Sequence, residues 1–198
     1  MPLSKAHKAR TRQRILDVAG DLFRRRGYDR VDIDQIMAAA DLTRGGFYGH
    51  FSSKAELFAE IVATDHGFNR KMAGRRGSKK NDLTEEALAI VADYLDPAHR
   101  EIVGAGCSLA SLAADTARAG AAAKIGYSAA FRDLVAEFSR GLRRPRTDGA
   151  DPRALGAVAT AVGGLVIARA LAEDDLAAEL LAACRAAIER ELTNPRAR

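Results

Sequence analysis

The side chains best suited to chemistry crowd into one short stretch, Thr43-Arg44, Tyr48-Gly49-His50 and Ser53-Lys54. Arg44 offers a planar fork of donors that matches a phosphate or the edge of a guanine. Lys54 is a point charge, and Thr43, Tyr48 and His50 are hydrogen-bonding groups within a few residues of it. Lys8 and Arg12 add cations upstream. No carboxylate pair or activated nucleophile accompanies them, so their chemistry is non-covalent binding of an anion. Gly45 and Gly46 interrupt the run. Each costs about 1 kcal/mol in a helix relative to Ala. A backbone that must approach its ligand closely would account for them.

The charge distribution supports a polyanionic ligand. Residues 1–54 hold 11 Lys/Arg against 6 Asp/Glu, whereas residues 55–198 hold 20 of each. The whole net charge of +5 therefore sits on the first quarter of the chain, a basic module on a neutral body. Apolar residues make up 47% of the chain, which excludes a mainly disordered protein. His99 and Cys107 invite a nucleophile reading, but no orienting group or oxyanion motif follows them. There is no P-loop, zinc pattern or dinucleotide fingerprint, so neither an enzyme nor a cofactor or metal site is expected. The basic, polar run from Met1 to Arg14 lacks the apolar core of a secretory signal. The longest uncharged run, Ala154 to Ala168, falls short of the ~20 residues that span a bilayer. With two isolated cysteines, Cys107 and Cys184, a reducing cytoplasm is the expected setting.

These residues need helices to position them. Ala-rich composition and scarce Pro predict an all-α chain. A first helix is expected over 8–26, with Ile15, Val18, Ala19, Leu22 and Phe23 on one face and Gly27 as its stop. Asp32 and Gln35 read as a capping box that opens a short second helix, and Asp41-Leu42 as a tight turn. Thr43 is the expected N-cap of a third helix running to about Gly49, with Phe47 and Phe51 in the core. A second capping box, Ser53 to Glu56, opens a fourth helix. Two short helices joined by a tight turn and leaning on a longer one describe a helix-turn-helix DNA-binding unit. Residues 70–80 read as a basic loop, and 143–149 as a polar connector. Further helices are expected at about 83–95, 97–104, 107–118, 121–143, 152–171 and 174–192.

Residues 11–58 resemble the DNA-binding domain of the tetracycline-repressor (TetR) family. The resemblance is carried by Thr11 to Leu16, Leu22-Phe23, Gly27-Tyr28, Ile36 and Ala39-Ala40. The most specific stretch is Leu42-Thr43-Arg44-Gly45-Gly46-Phe47-Tyr48-Gly49-His50-Phe51, followed by Ser53-Lys54 and Leu57-Phe58. Val31 departs from the small hydroxyl residue frequent in the family, and Asp32 still caps the helix. The resemblance implies a DNA-binding domain over 1–54 and a helical effector-binding and dimerisation domain over 55–198. It implies a homodimer that binds a pseudo-palindromic operator in duplex DNA, most often as a repressor, and releases it when a small molecule binds. It also implies that Tyr48 and His50 face the phosphate backbone, with Lys8, Arg12, Thr43, Arg44, Gly45, Gly46 and Lys54 completing the DNA-binding set.

Residues 154–168 are apolar or small nearly all round, which a solvated helix does not tolerate. The expected dimer interface is Leu155, Val158, Val162, Gly163, Val166, Leu180, Cys184 and Ile188. The expected effector pocket draws on Tyr94, His99, Cys107, Ser108, Leu112, Tyr127 and Phe131, a set suited to an apolar or aromatic ligand with one or two hydrogen bonds. Cys107 follows a Gly-Ala-Gly run near a helix start, where a thiolate is favoured. A small buried hydrophobe is the alternative reading of that cysteine.

Overall fold

The computed structural model describes residues 5–64, 67–104, 106–142, 145 and 148–193, with the backbone alone at 80 and 81. The connector expected at 143–149 lies largely outside them. The described residues form helices and turns, with no strand among them. The chain divides into two compact units, Met1–Asp65 with Val103–Ser128, and His66–Ile102 with Ala129–Arg198.

The first unit is built on α1 (Lys5–Arg26), α2 (Ile33–Ala39), α3 (Arg44–Phe47) and α4 (Lys54–Thr64). Ile15, Ala19 and Phe23 of α1 are fully buried, and Val18 and Leu22 flank them half-buried, as their helical spacing predicts. Gly27 ends α1 at φ +81, a conformation that a Cβ disfavours, and its N–H returns to the Phe23 carbonyl at 2.9 Å. Phe23, Tyr28 and Phe58 form an aromatic knot, Phe23 meeting Phe58 edge-on at 5.5 Å and Tyr28 lying 4.7 Å from Phe58. Val31, Ile36, Met37, Phe47, Phe51, Leu57 and Ile61 complete this core.

That core also takes in Leu112 and Ala123, from a part of the chain that the sequence reading assigns to the C-terminal body. Three short or partial helices bring them in: α8 (Ser108–Ser111), α9 (Ala113–Arg118) and the start of α10 (Ala121–Ser139). The single helix expected at 107–118 breaks at Leu112 (φ −111, ψ 7), whose side chain is fully buried. Arg24 donates to the Gly104 carbonyl and to Ser108 Oγ, and the Tyr28 N–H donates to Asp115 Oδ2 at 3.3 Å. These bonds tie the C-terminal end of α1 to residues 104–115.

The second unit holds α5 (Gly67–Ala73), α6 (Lys80–Tyr94), α7 (Pro97–Arg100), the rest of α10, α11 (Pro152–Ala170) and α12 (Asp174–Thr193). α5 is a correction to the basic loop expected at 70–80: Phe68 and Met72, one turn apart, are both buried. Arg75, read as part of that loop, is only 3% exposed. Its guanidinium donates to the carbonyls of Met72, Leu83 and Glu137, which anchors the end of α5 to α6 and α10. α7 stops at Arg100 rather than 104. Arg169 takes the carbonyls of His99, Arg100 and Ile102 and so satisfies the groups that a longer helix would have bonded internally.

α11 starts as expected, with Asp151 as N-cap and Pro152 in the first turn. Asp151 and Arg153 form a buried ion pair at 2.9 Å. At Gly164 a Cβ would stand 2.6 Å from Cys184 Sγ, so the α11–α12 pair closes to a distance that no side chain fits. By length and composition α11 is apolar enough to cross a membrane, but 44% of its apolar window is buried inside the chain, as in a core helix.

Candidate nucleic-acid interface

The interface starts with the cap of α2. The Gln35 N–H donates to Asp32 Oδ1 at 2.7 Å and the Asp32 N–H to Gln35 Oε1 at 3.3 Å, the reciprocal box read from the sequence. α2 ends where Asp41 adopts φ 56, and the Leu42 N–H closes the turn on the Met37 carbonyl at 2.9 Å. Among non-glycine residues, Asp tolerates that left-handed conformation comparatively well.

α3 is shorter than expected, Arg44–Phe47, but turn bonds continue it: the His50 and Phe51 N–H groups both reach the Phe47 carbonyl. Phe47 and Phe51 are buried one turn apart and fix the rotation of this segment. The outward face is thereby Thr43, Arg44, Gly45, Gly46, Tyr48 and Gly49, all exposed, with Tyr48 at 58%. Thr43 occupies the N-cap position without a side-chain cap bond, so its hydroxyl does not cap α3 as expected. Arg44 forms an exposed ion pair with Asp34 of α2. Gly45 has open space where a Cβ would stand, and Gly46 only ordinary contacts, 3.6 Å to Met37 Cε and 3.9 Å to Thr43 Oγ1.

Two cations assigned to DNA have other partners in the structure. Lys54 Nζ donates to the Tyr28 and Val31 carbonyls at 3.0 and 2.9 Å and lies 4.1 Å from the Tyr28 ring centroid. It staples the start of α4 to the loop between α1 and α2. Arg12 makes a two-pronged salt bridge to Glu60 of α4 while lying 4.4 Å over the Phe51 ring. The bond to Glu60 is the main cause of its raised pKa. Sequence charge alone does not reveal such partners, because each lies 20 or more residues away in the chain. Lys8, by contrast, is exposed. His50 is half-buried, its Nδ1 has no partner, and its pKa is lowered by burial first and then by Lys8 and Arg12. At α4 the Glu56 N–H donates to Ser53 Oγ as expected, but the Glu56 carboxylate turns to the N–H and hydroxyl of Ser52, one residue earlier than the box predicts.

The residues expected to line an effector pocket fall into both units. Cys107, Ser108, Leu112 and Tyr127 belong to the first. Cys107 is 3% exposed, which favours the buried-hydrophobe reading over a reactive thiol. Ser108 Oγ accepts from Arg24, and the Tyr127 hydroxyl donates to the Leu109 carbonyl at 2.8 Å. Tyr94, His99 and Phe131 belong to the second. Tyr94 stacks on Phe68 with centroids 4.0 Å apart, and His99 Nδ1 lies 2.7 Å from the Tyr94 carbonyl.

The expected dimer face divides in two. Leu155, Val166 and Ile167 of α11 are 37%, 41% and 53% exposed, with Val162, Gly163, Leu180 and Cys184 half-buried beside them. Val158 and Ile188, expected at the interface, are instead fully buried in the chain's own core. Ile167 was missed. Its signal was its place one turn after Gly163 on the same stripe.

An exposed, short second helix on a basic helix-turn-helix unit defines a DNA-binding domain of the bacterial regulator type. Residues 15–61 match the model of the bacterial regulatory proteins of the tetR family. The chain is 45% identical over 58 residues to the HTH-type transcriptional regulator AcrR of Shigella flexneri, covering 29% of this chain and 27% of that protein. It thus spans about a quarter of that relative's length. To the regulator YfiR of Bacillus subtilis it is 32% identical over 94 residues, covering 48% of this chain and 43% of that one. Among solved structures, the SmeT–triclosan complex matches over 92% of this chain and 90% of the other at 26% identity, with a TM-score of 0.64. SmeT is the repressor of the Stenotrophomonas maltophilia multidrug efflux pump SmeDEF. Reduced Escherichia coli NemR shares the fold over 94% of this chain and 100% of its own, with 18% identity and a TM-score of 0.75. The chain belongs to the tetracycline-repressor family of bacterial regulatory proteins. These relatives are regulators, not enzymes.

Proposed function

We propose that this chain is a ligand-responsive transcriptional repressor of the cytoplasm that binds a pseudo-palindromic DNA operator as a homodimer. The observation that carries this reading is the outward face of α3. Thr43, Arg44 and Tyr48 are exposed around two bare glycines, and Phe47 and Phe51 lock that face outward. All of the chain's excess positive charge lies in the same stretch. Arg44 reads a base edge, Lys8, Tyr48 and His50 hold phosphates, and Lys54 and Arg12 keep the unit rigid.

Dimerisation uses the exposed stripe of Leu155, Val162, Gly163, Val166 and Ile167 with Leu180 and Cys184. Two such helix pairs related by a twofold axis place two recognition helices on successive turns of the duplex. Residues 1–54 carry DNA recognition, and residues 55–198 carry dimerisation and the effector response. The effector is a small apolar or aromatic molecule, in keeping with the triclosan bound by SmeT. It acts by binding better to a dimer state whose helices no longer match the groove spacing.

Selection of duplexes from a random library by the purified protein, repeated with small hydrophobic compounds, tests this reading. A palindromic consensus released by at least one compound is expected. Recovery of sequence-independent DNA alone would reject operator recognition.

A further inference from the structure

A groove of about 400 Å³ opens between α1 and α3 in the first unit. Its apolar lining is Met37 and Leu42, with the bare backbone of Gly46 and Gly49. Lys8, Thr43 and His50 supply its polar groups. The Thr11 hydroxyl beside them already donates to the His7 carbonyl at 3.0 Å, so it faces the groove as an acceptor. Arg12, the nearby guanidinium, is neutralised by Glu60. One formal cation with neutral donors over an apolar floor matches a group that carries a single negative charge and a hydrocarbon body.

Gly46 sharpens this match. A Cβ there would meet only Met37 Cε at 3.6 Å and Thr43 Oγ1 at 3.9 Å, both ordinary contacts with groups that line the groove. The fold therefore accepts alanine, and alanine is the better helix former. Packing inside the protein gives no reason for glycine, whereas a ligand seated against the bare Cα does.

We infer that the groove between α1 and α3 seats one sugar–phosphate unit of the DNA backbone, its deoxyribose against Met37 and Gly46 and its phosphodiester on Lys8, Thr43 and His50. This rests on the DNA-binding reading above and extends it to a built backbone site. Such a contact sets the register of α3 in the major groove without reading sequence. It also places a negative charge beside His50, opposite in effect to Lys8 and Arg12, whose charges lower the pKa of the free ring.

The test uses the full-length protein and a duplex recovered by site selection. Gly46→Ala is expected to melt no lower than wild type and to bind that duplex at least about tenfold more weakly. The His50 ring resonances are expected to titrate at higher pH in the complex than in the free protein. Tight binding by Gly46→Ala, or a His50 titration that the duplex leaves unmoved, overturns the assignment. The His50 measurement decides the matter if the variant folds poorly. Excess inorganic phosphate that shifts His50 as far as the duplex does would make the groove a free-anion site and also overturn it. Failure of the wild type to select any duplex sinks the DNA-binding reading itself, a distinguishable result.

Discussion

Replacing Lys54 with methionine separates a structural cation from a DNA-binding one. Methionine keeps most of the aliphatic stem and removes the ammonium, which donates to the Tyr28 and Val31 carbonyls and covers the Tyr28 ring. A hydrogen bond from a charged donor contributes about 1.5–3 kcal/mol, and an exposed cation–π contact about 0.5–1 kcal/mol. Lys54 is half-buried, so water reaches the vacated carbonyls and recovers much of this. The net loss works out at about 2 kcal/mol. For a chain of this size that lowers the melting temperature by about 4–8 °C. Calorimetry reads the shift, and DNA affinity measured across a salt series reads the charge. A stapling lysine leaves the slope of log affinity against log salt unchanged. A slope shallower by about 0.9 with an unaltered melting temperature would show Lys54 on a phosphate and refute this assignment.

The other predictions probe separate parts of the account. The pKa of His50 lies below its ordinary 6.5 in the folded chain, so as pH falls the unfolded chain takes up its proton first. The stability that neutral His50 contributes is complete above about 6.5 and is lost as pH falls through the folded value, and His50→Gln should flatten the pH dependence of urea melts over that window. Asp34→Asn releases Arg44 from its exposed ion pair and should raise affinity for mixed-sequence DNA by up to about fivefold, read by fluorescence anisotropy. Asp32→Ala removes the capping box and should cost about 1 kcal/mol in urea melts; no loss would show that the cap is dispensable. On α11, Ile167→Asp should give a folded monomer in sedimentation, whereas Val158→Asp should prevent folding, because the one side chain is half exposed and the other fully buried. Two folded monomers, or two folded dimers, would contradict that division.

Local signals were legible in the sequence and distant ones were not. Asp32 with Gln35, Gly27, and Asp151 before Pro152 act on their own neighbours, and each stands in the structure where its type predicts. Phe47 and Phe51 were assigned to the core by their spacing alone. The basic residues defeated the reading. Lys54, Arg75 and Arg169 look like solvated charge in sequence, yet each binds two or three backbone carbonyls. No periodicity encodes which carbonyl a long side chain finds. α5 was hidden for a related reason: only Phe68 and Met72 mark its buried face, and the surrounding charges and glycines read as loop. On α11, apolar residues nearly all round announce burial without saying which side faces the chain's own core. Val158 and Ile167 could be told apart only once α12 was in place.

The central claim is that a dimer of this chain recognises a defined duplex through α3. Its most direct test is the affinity of the purified full-length protein for a selected operator and for a scrambled duplex of equal length and composition, measured at physiological salt. The account predicts a preference of at least about a thousandfold for the operator, with two protomers per site. It also predicts that Arg44→Ala erodes the preference at one base pair in each half-site while scrambled-duplex binding changes little. Equal affinity for the two duplexes, or an Arg44→Ala loss shared equally by both, would contradict it.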